Sequence, residues 1–144
     1  MTADGLITTV SKFGETMDRL AAEVKAKGLT VFARIDHAAG AAEVGLPLRA
    51  TELLIFGNAK GGTPLMQAGQ SIGIDLPLKA LVFEDADGKV SLAWNDPHWL
   101  AQRHGLGAAL APALDAMAAL LKTLAAKATK PPRAIPMTRE SSPS

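Results

Sequence analysis

Few side chains in this sequence have the type and setting that chemistry requires, and His37 is the first of them. It ends a β-rich run from Thr30 to His37, on the more apolar face of that run. An imidazole in such a place can act as a base, a metal ligand or a haem ligand when a neighbour fixes its second nitrogen. The alternative is a histidine that hydrogen-bonds to backbone, because one histidine does not define a site. If the chain holds a metal or haem, His37 is its predicted ligand; the sequence identifies no cofactor.

Charged side chains beside strands and turns form a second group of candidates. Lys79 lies near the start of an apolar β-run, where its ammonium could pair with Glu52 or bind an anion. A surface lysine whose aliphatic stem packs on the sheet is the other interpretation. Asp75 lies two residues before Pro77, a position at which an aspartate more often fixes a turn than acts as an acid.

The run from Asn58 to Thr63 contains Lys60 and two glycines before a predicted helix. Glycines, a cation and the free amides of a helix N-terminus are the components of an anion-binding turn. The run lacks the ending of a P-loop and the spacing of a dinucleotide fingerprint. It therefore favours a small carboxylate or phosphate over a nucleotide.

The other imidazoles and hydroxyls carry no recognisable catalytic pattern. His98 and His104 are six residues apart, so one helix cannot present them as the i, i+4 pair that a metal site prefers. Both are interpreted as surface or capping residues. None of Ser11, Ser71 and Ser91 lies in a nucleophile-elbow context, and no serine hydrolase is predicted.

Composition limits the function classes further. The chain has 144 residues and a formal net charge of +1, which the basic segment after residue 129 accounts for, so the body offers no broad basic face for nucleic acid. The absence of cysteine excludes disulfides, thiolate catalysis and cysteine-ligated iron–sulfur clusters. Asp4 stands where a secretion signal would have a base, and no apolar run approaches 18 residues. We expect a cytoplasmic protein that binds neither nucleic acid nor membrane.

Hydrophobic periodicity predicts an α+β fold. Phe13, Met17, Leu20 and Val24, spaced four, three and four apart, indicate an amphipathic helix that ends at Gly28. The predicted elements are a strand at 6–10, that first helix, a strand at 30–37, a short helix within 38–45, a strand at 51–58, a short helix from Thr63 to Gln70, a hairpin of 78–84 and 89–94, a helix from Pro97 and a last helix at about 107–127. These elements predict a two-layer domain over 1–128, with a sheet of about five strands covered by helices on one face, a strand-helix-strand start, and two helices after the hairpin. Residues 129–144, rich in proline and serine, are predicted to be a disordered tail.

In this order, four motifs resemble the domain of unknown function 302 family. They are Glu52 to Asn58, Gly62 to Met66, Asp75 to Lys79 with the β-run after it, and Pro97 through Leu106. The resemblance covers roughly residues 5 to 125. It implies a compact two-layer α+β domain, usually bacterial and often a homodimer, with no settled activity. Ala59 follows the third strand where family members carry proline, which implies a looser turn.

Three functional hypotheses follow from these residues. The leading one is a homodimer that binds a small ligand or anion in a pocket lined by His37, Glu52, Asn58 and Lys79, with Lys60 and Asp75 as further ligand-binding candidates. An enzyme is the second, and it requires two of those groups within hydrogen-bond reach; a haem or metal protein that uses His37 is a variant of either. The third is a structural module whose final Leu/Met helix seam forms the dimer surface. Apolar residues on both faces of the central strands predict that a second subunit covers one face.

Overall fold

Five strands form one antiparallel sheet, and helices cover one side of it. The computed structural model describes residues 4–11 and 15–130. In chain order the elements are β1 (Leu6–Ser11), α1 (Thr16–Ala26), β2 (Thr30–Asp36), α2 (His37–Glu43), β3 (Thr51–Gly57), α3 (Ala59–Ala68), a 3-10 helix (Gln70–Asp75), β4 (Leu78–Glu84), β5 (Val90–Asn95), α4 (Pro97–Arg103), a 3-10 turn (Ala108–Leu110) and α5 (Ala111–Thr129). The predicted α+β class and order of elements are confirmed.

The strand order in the sheet is β1-β5-β4-β3-β2. All four strand pairs are antiparallel, and the β4–β5 pair is the predicted hairpin. β3 lies between β2 and β4, so the prediction that it is an interior strand is confirmed. The register of the β2–β3 pair shifts between Val31 and Ala33, which places Phe32 at an irregularity of this edge strand.

The core lies between the sheet and two helices. Leu54 and Phe56 of β3 are fully buried, and they pack in one cluster with Leu20 of α1 and with Leu121 and Leu124 of α5. The seam predicted for the last helix therefore belongs to the protein's own core. Because these leucines are already buried, the seam cannot be the dimer surface that the third hypothesis required.

The opposite side of the sheet, which we call the open face, remains partly exposed. Leu53 and Leu81 face each other across β3 and β4, and Ile35 and Ala93 continue the same row on both sides. Leu53 and Leu81 are half-buried, whereas Ile35 is 39% exposed. Along β3 the side chains that alternate with these residues are buried under the helices, so the helices lie on one face, as predicted.

The predicted start of α3, with Thr63 as the cap and Pro64 as the first helical residue, is wrong, because the helix begins five residues earlier, at Ala59. Asn58 caps it, and its side-chain oxygen accepts a hydrogen bond from the N–H of Gly61 at 2.7 Å. Pro64 consequently lies inside the helix, where it lacks an N–H to bond to the carbonyl of Lys60. A good cap at Asn58 thus outweighs the usual preference of proline for the first helical position.

The last residues of four strands also differ from the prediction by one: β1 and β5 end one residue later, at Ser11 and Asn95, and β2 and β3 end one residue earlier. β2 ends at Asp36 because that side chain caps α2, accepting a hydrogen bond from the N–H of Ala39 at 2.9 Å. His37 is therefore the first residue of a helix. β3 ends at Gly57, which leaves Asn58 free to cap α3.

The first helix ends as predicted, with Gly28 in the left-handed region at φ 77°. Phe13, which the spacing assigns to the start of this helix, lies outside the described residues. So does 131–144, which contains most of the predicted disordered tail.

α5 and the turn before it form a helix of 22 residues, Ala108–Thr129, that is long and apolar enough to cross a membrane by length and composition alone. Its buried residues pack within the domain, against the sheet, α1 and α4, and they are Leu114, Leu121, Leu124, Ala125, Ala128 and Thr129. Only 22% of its most apolar 18-residue window is buried, so the packed side is a minor part of the helix surface.

Candidate functional site

α3, the 3-10 helix and α5 enclose a cleft of about 530 Å³, which we call the α3–α5 cleft. Most of its lining is apolar. The lining side chains include Leu29, Phe32, Met66, Leu76, Pro77, Leu78, Ala113, Ala116, Met117 and Leu120, and the turn 57–64 forms one rim.

Close approach of α3 to the 3-10 helix shapes one wall of the cleft. A Cβ atom at Gly73 would lie 3.3 Å from the sulfur of Met66, so a glycine lets the two elements approach closely there. Phe32 reaches the cleft from the irregular point in β2, where the pairing register with β3 shifts. The cleft thus depends on small residues and on a local distortion of the edge strand.

The polar part of the cleft lies at the N-terminus of α3. Asn58, Lys60 and Thr63 are exposed residues of the rim. The first amides of the helix, at Ala59 and Lys60, have no acceptor within the helix. Among the ion pairs formed by the described residues, none includes Lys60. The rim therefore presents a cation and backbone donors beside an apolar surface.

Asp75 joins the 3-10 helix to the end of α4. Its two carboxylate oxygens each accept a hydrogen bond from Nη1 of Arg103 at 2.9 Å. Nε2 of His104 lies 2.5 Å from Oδ2 of the same carboxylate. The ammonium of Lys79 donates to the backbone carbonyl of Asp75 at 3.1 Å. Asp75 therefore connects two chain segments that are 28 residues apart.

His104 also contacts a hydroxyl group through its other nitrogen. Oγ of Ser71 lies 2.8 Å from Nδ1. The side chain of His104 is only 8% exposed, whereas Ser71 is exposed. Ser71, Asp75 and His104 therefore form one hydrogen-bonded chain of side chains.

Glu52 belongs to a separate network on the other side of the domain. Its carboxylate accepts a hydrogen bond from Nε of Arg34 at 2.7 Å, and Nη1 of Arg34 bonds to Asp18 at 2.8 Å. The hydrogen bond to Glu52 is the main reason why the pKa of Arg34 is raised; burial opposes this shift, and Asp18 reinforces it. Glu52 therefore pairs with Arg34 and not with Lys79.

The structure places the six predicted ligand-binding residues at three separate locations. His37 is exposed and lies beside Glu52 at one end of the β2–β3 pair, since Asp36 is paired with Glu52. Asn58 and Lys60 lie at the opposite end, on the cleft rim. Asp75 and Lys79 contact each other near α4. No cluster of three or more potential metal ligands occurs among the described residues.

Sequence reasoning missed the convergence at Asp75. The interpretation of His104 as a capping residue is confirmed, since it is the C-cap of α4, but its ring is largely buried and contacts Asp75 and Ser71. Ser71 therefore has a partner that a search for nucleophile elbows could not find. The signal lay in the motifs themselves, because Asp75 to Lys79 and Pro97 through Leu106 are two of the four segments that carry the family resemblance, and they meet here. His98 fits the surface interpretation, and its Nε2 pairs with Asp115 at 2.9 Å while both side chains are well exposed.

Comparison with known families identifies the family to which this fold and the four sequence motifs belong. A family model described as "Domain of unknown function DUF302" matches residues 6–124. The chain belongs to this family. The crystal structure of an uncharacterized conserved DUF302 protein from Bacillus stearothermophilus has the same fold, with a TM-score of 0.77, 20% sequence identity, and coverage of 88% of this chain and 99% of that one.

Curated relatives of this DUF302 chain bear the name of a channel. Proteins called "Fluoride-specific ion channel FluC 1" from Brucella suis biovar 1 and Brucella abortus biovar 1 are 54% identical to it over 115 residues, which is 78% of this chain. The match spans 45% of the Brucella suis protein and 43% of the Brucella abortus protein. The chain therefore spans less than half the length of these relatives.

The junction at Asp75 predicts a measurable contribution to stability. We expect Asp75→Ala to lower the free energy of unfolding by about 1.5–3 kcal/mol. The substitution removes a partly buried carboxylate that accepts hydrogen bonds from the guanidinium of Arg103 and the imidazole of His104. Asp115→Ala is the matched control, since it removes the exposed aspartate of another His–Asp pair and should change stability by less than about 0.5 kcal/mol. Urea unfolding at pH 7 measures both. Equal effects of the two substitutions would show that the junction does not stabilise the fold.

Proposed function

We propose that this DUF302 domain binds a small amphipathic molecule, with an apolar body and one anionic group, in the α3–α5 cleft. The observation that carries this proposal is the cleft itself: its volume of about 530 Å³ and its mostly apolar lining are typical of small-ligand sites. Such sites combine an apolar wall with a few polar groups that orient the ligand. Lys60 and the first amides of α3 are those groups, and they favour an anion.

The placement of the candidate residues supports this assignment over the pocket expected from the sequence. Asn58 and Lys60 lie on the rim of the cleft, while Glu52 is occupied by Arg34 and His37 lies at the far end of the β2–β3 pair. Asp75 and Lys79 act indirectly, since they fix the 3-10 helix whose Gly73 forms part of the wall.

We propose that this domain works in the bacterial cytoplasm.

Octanoate and octan-1-ol separate the two parts of the proposed site. We expect octanoate to bind, and we expect Ala116→Phe to weaken its binding at least tenfold because the ring fills the cleft. Ala119→Phe is the control, since Ala119 is exposed on the same helix outside the cleft lining. Lys60→Ala should weaken the binding of octanoate up to about fivefold, which is the range of an exposed ion pair, and should leave the binding of octan-1-ol unchanged. Lys122→Ala is the control and should change the binding of neither compound. Calorimetric titration gives each Kd. Loss of binding in both phenylalanine variants, or no octanoate binding at millimolar concentration, would exclude the cleft as the site.

We further propose that two copies of the domain associate through the open face of the sheet. Leu53, Leu81 and Ile35 form an apolar row there, and Val10 on β1 is 52% exposed. The other face of these strands is already covered by helices. Burial of this apolar area against a second subunit would therefore stabilise a dimer.

Light scattering at micromolar concentration tests the dimer. The wild-type domain is expected to have the mass of a dimer, and Leu81→Lys the mass of a monomer, because an unpaired ammonium at the centre of the open face would be costly to bury. Val44→Lys, at a loop residue that is 71% exposed, should remain a dimer. A monomeric wild type, or a dimer that Leu81→Lys leaves intact, would contradict the open face as the interface.

The Brucella proteins support a second candidate, an accessory domain that acts together with a fluoride channel. They are named as fluoride-specific ion channels, and more than half of each lies outside the matched region. In this chain the one described helix with the length and composition of a membrane span packs one side against the sheet, α1 and α4, with 22% of its most apolar window buried. We therefore assign the pore of those relatives to their unmatched part and a supporting role to the matched domain.

Fluoride efflux from liposomes tests this second candidate. The Brucella suis protein is reconstituted whole and without its matched region, and efflux is followed with a fluoride electrode. If the domain supports the channel, the shortened protein will release fluoride more slowly, and adding this chain will restore the rate. An unrelated soluble domain of similar size is the control. Equal efflux from the whole and shortened proteins would rule out this role.

A further inference from the structure

We propose that Ser71 is the nucleophile of an acyl-transfer site for small carboxylic esters, with His104 as its base and Asp75 as the residue that positions the imidazole. This assignment rests on the hydrogen-bonded chain of the three side chains. It is independent of ligand binding in the α3–α5 cleft, because Ser71 is not part of the cleft lining.

The hydrogen bonds determine which nitrogen of His104 carries the proton. A carboxylate can only accept, so Nε2, 2.5 Å from Oδ2 of Asp75, is the protonated nitrogen. In the neutral ring Nδ1 is then an acceptor, and the hydroxyl of Ser71, 2.8 Å away, donates to it. The roles match those of a serine-histidine-aspartate triad with the two ring nitrogens exchanged.

Burial distinguishes the reacting group from its support. The side chains of His104 and Asp75 are 8% and 16% exposed, whereas Ser71 is exposed and accessible to a substrate. Two hydrogen bonds from Arg103 hold the carboxylate that orients the ring. A shielded base fixed by a third group, next to an accessible hydroxyl, is the arrangement that activates a serine.

The proposed reaction uses an ester and water. Oγ of Ser71 forms a bond to the ester carbonyl carbon while its proton moves to Nδ1 of His104. The C–O bond to the leaving alcohol breaks, and that alcohol takes the proton from Nδ1. Water then attacks the acyl group, gives its proton to Nδ1, and the bond from Oγ to the acyl carbon breaks, with the proton returning to Ser71. No oxidant, reductant or metal is consumed.

An alkyl fluorophosphonate tests the nucleophile directly, because it forms a stable bond to an activated serine oxygen and releases fluoride. Intact-mass and peptide measurements on the full chain should show one adduct, located on Ser71. Ser11 and Ser91 are 7% and 8% exposed and serve as internal controls that should not react. Ser71→Ala, a change at an exposed position, should remove the adduct without unfolding the domain. No adduct on the wild type beyond that on Ser71→Ala would overturn the proposal.

Substitutions of the base and of its positioning residue distinguish activation from mere exposure. His104→Ala should label about 100-fold more slowly, the usual contribution of a general base, and added imidazole should restore part of the rate. Asp75→Asn can donate to Nε2, so the ring proton moves to Nδ1; its labelling should fall as far, and imidazole should not restore it. Circular dichroism at the labelling temperature confirms that each variant is folded. Labelling of folded His104→Ala at the wild-type rate would also overturn the proposal.

Discussion

The carboxylate of Asp75 is the constraint on which both proposed sites depend. It binds Arg103 and His104 across 28 and 29 residues of chain, and so fixes the 3-10 helix against the end of α4. One side of that short helix supplies Gly73 to the wall of the cleft, while Ser71 bonds to His104. A 3-10 helix of only six residues, whose hydrogen-bond geometry is poorer than that of an α-helix, cannot hold such a position alone. The ionic contact therefore positions what local structure would leave loose.

A second constraint is the one-sided sheet. Leu54 and Phe56 are fully buried beneath helices, whereas Leu53 and Leu81, on the other side of the sheet, are only half-buried. The side covered by helices holds the main apolar core, in which Leu121 of α5 is buried. The open face is less buried in one copy, and it is therefore the face at which we propose that a second subunit binds.

Local patterns in the sequence were sufficient for most of the fold. Alternation identified the strands, and Gly28 marked the end of the first helix at the correct residue. The start of α3 was missed because the cap at Asn58 competes with Pro64 as a start signal, and only the fold shows which one prevails. The site was less predictable, since the contact of Asp75 with His104 depends on how distant segments pack, and spacing along the chain carries no information about that.

Binding in the cleft is tested most directly by the methyl signals of methionine. Met66 and Met117 line the cleft, whereas Met17 is 3% exposed in the core between the sheet and the helices. With [13C-methyl]methionine in the wild-type domain, a titration with octanoate should shift the signals of Met66 and Met117 and leave that of Met17 unchanged. If no signal moves, or if Met17 moves as far as the other two, octanoate does not bind in the α3–α5 cleft and the proposed function is wrong.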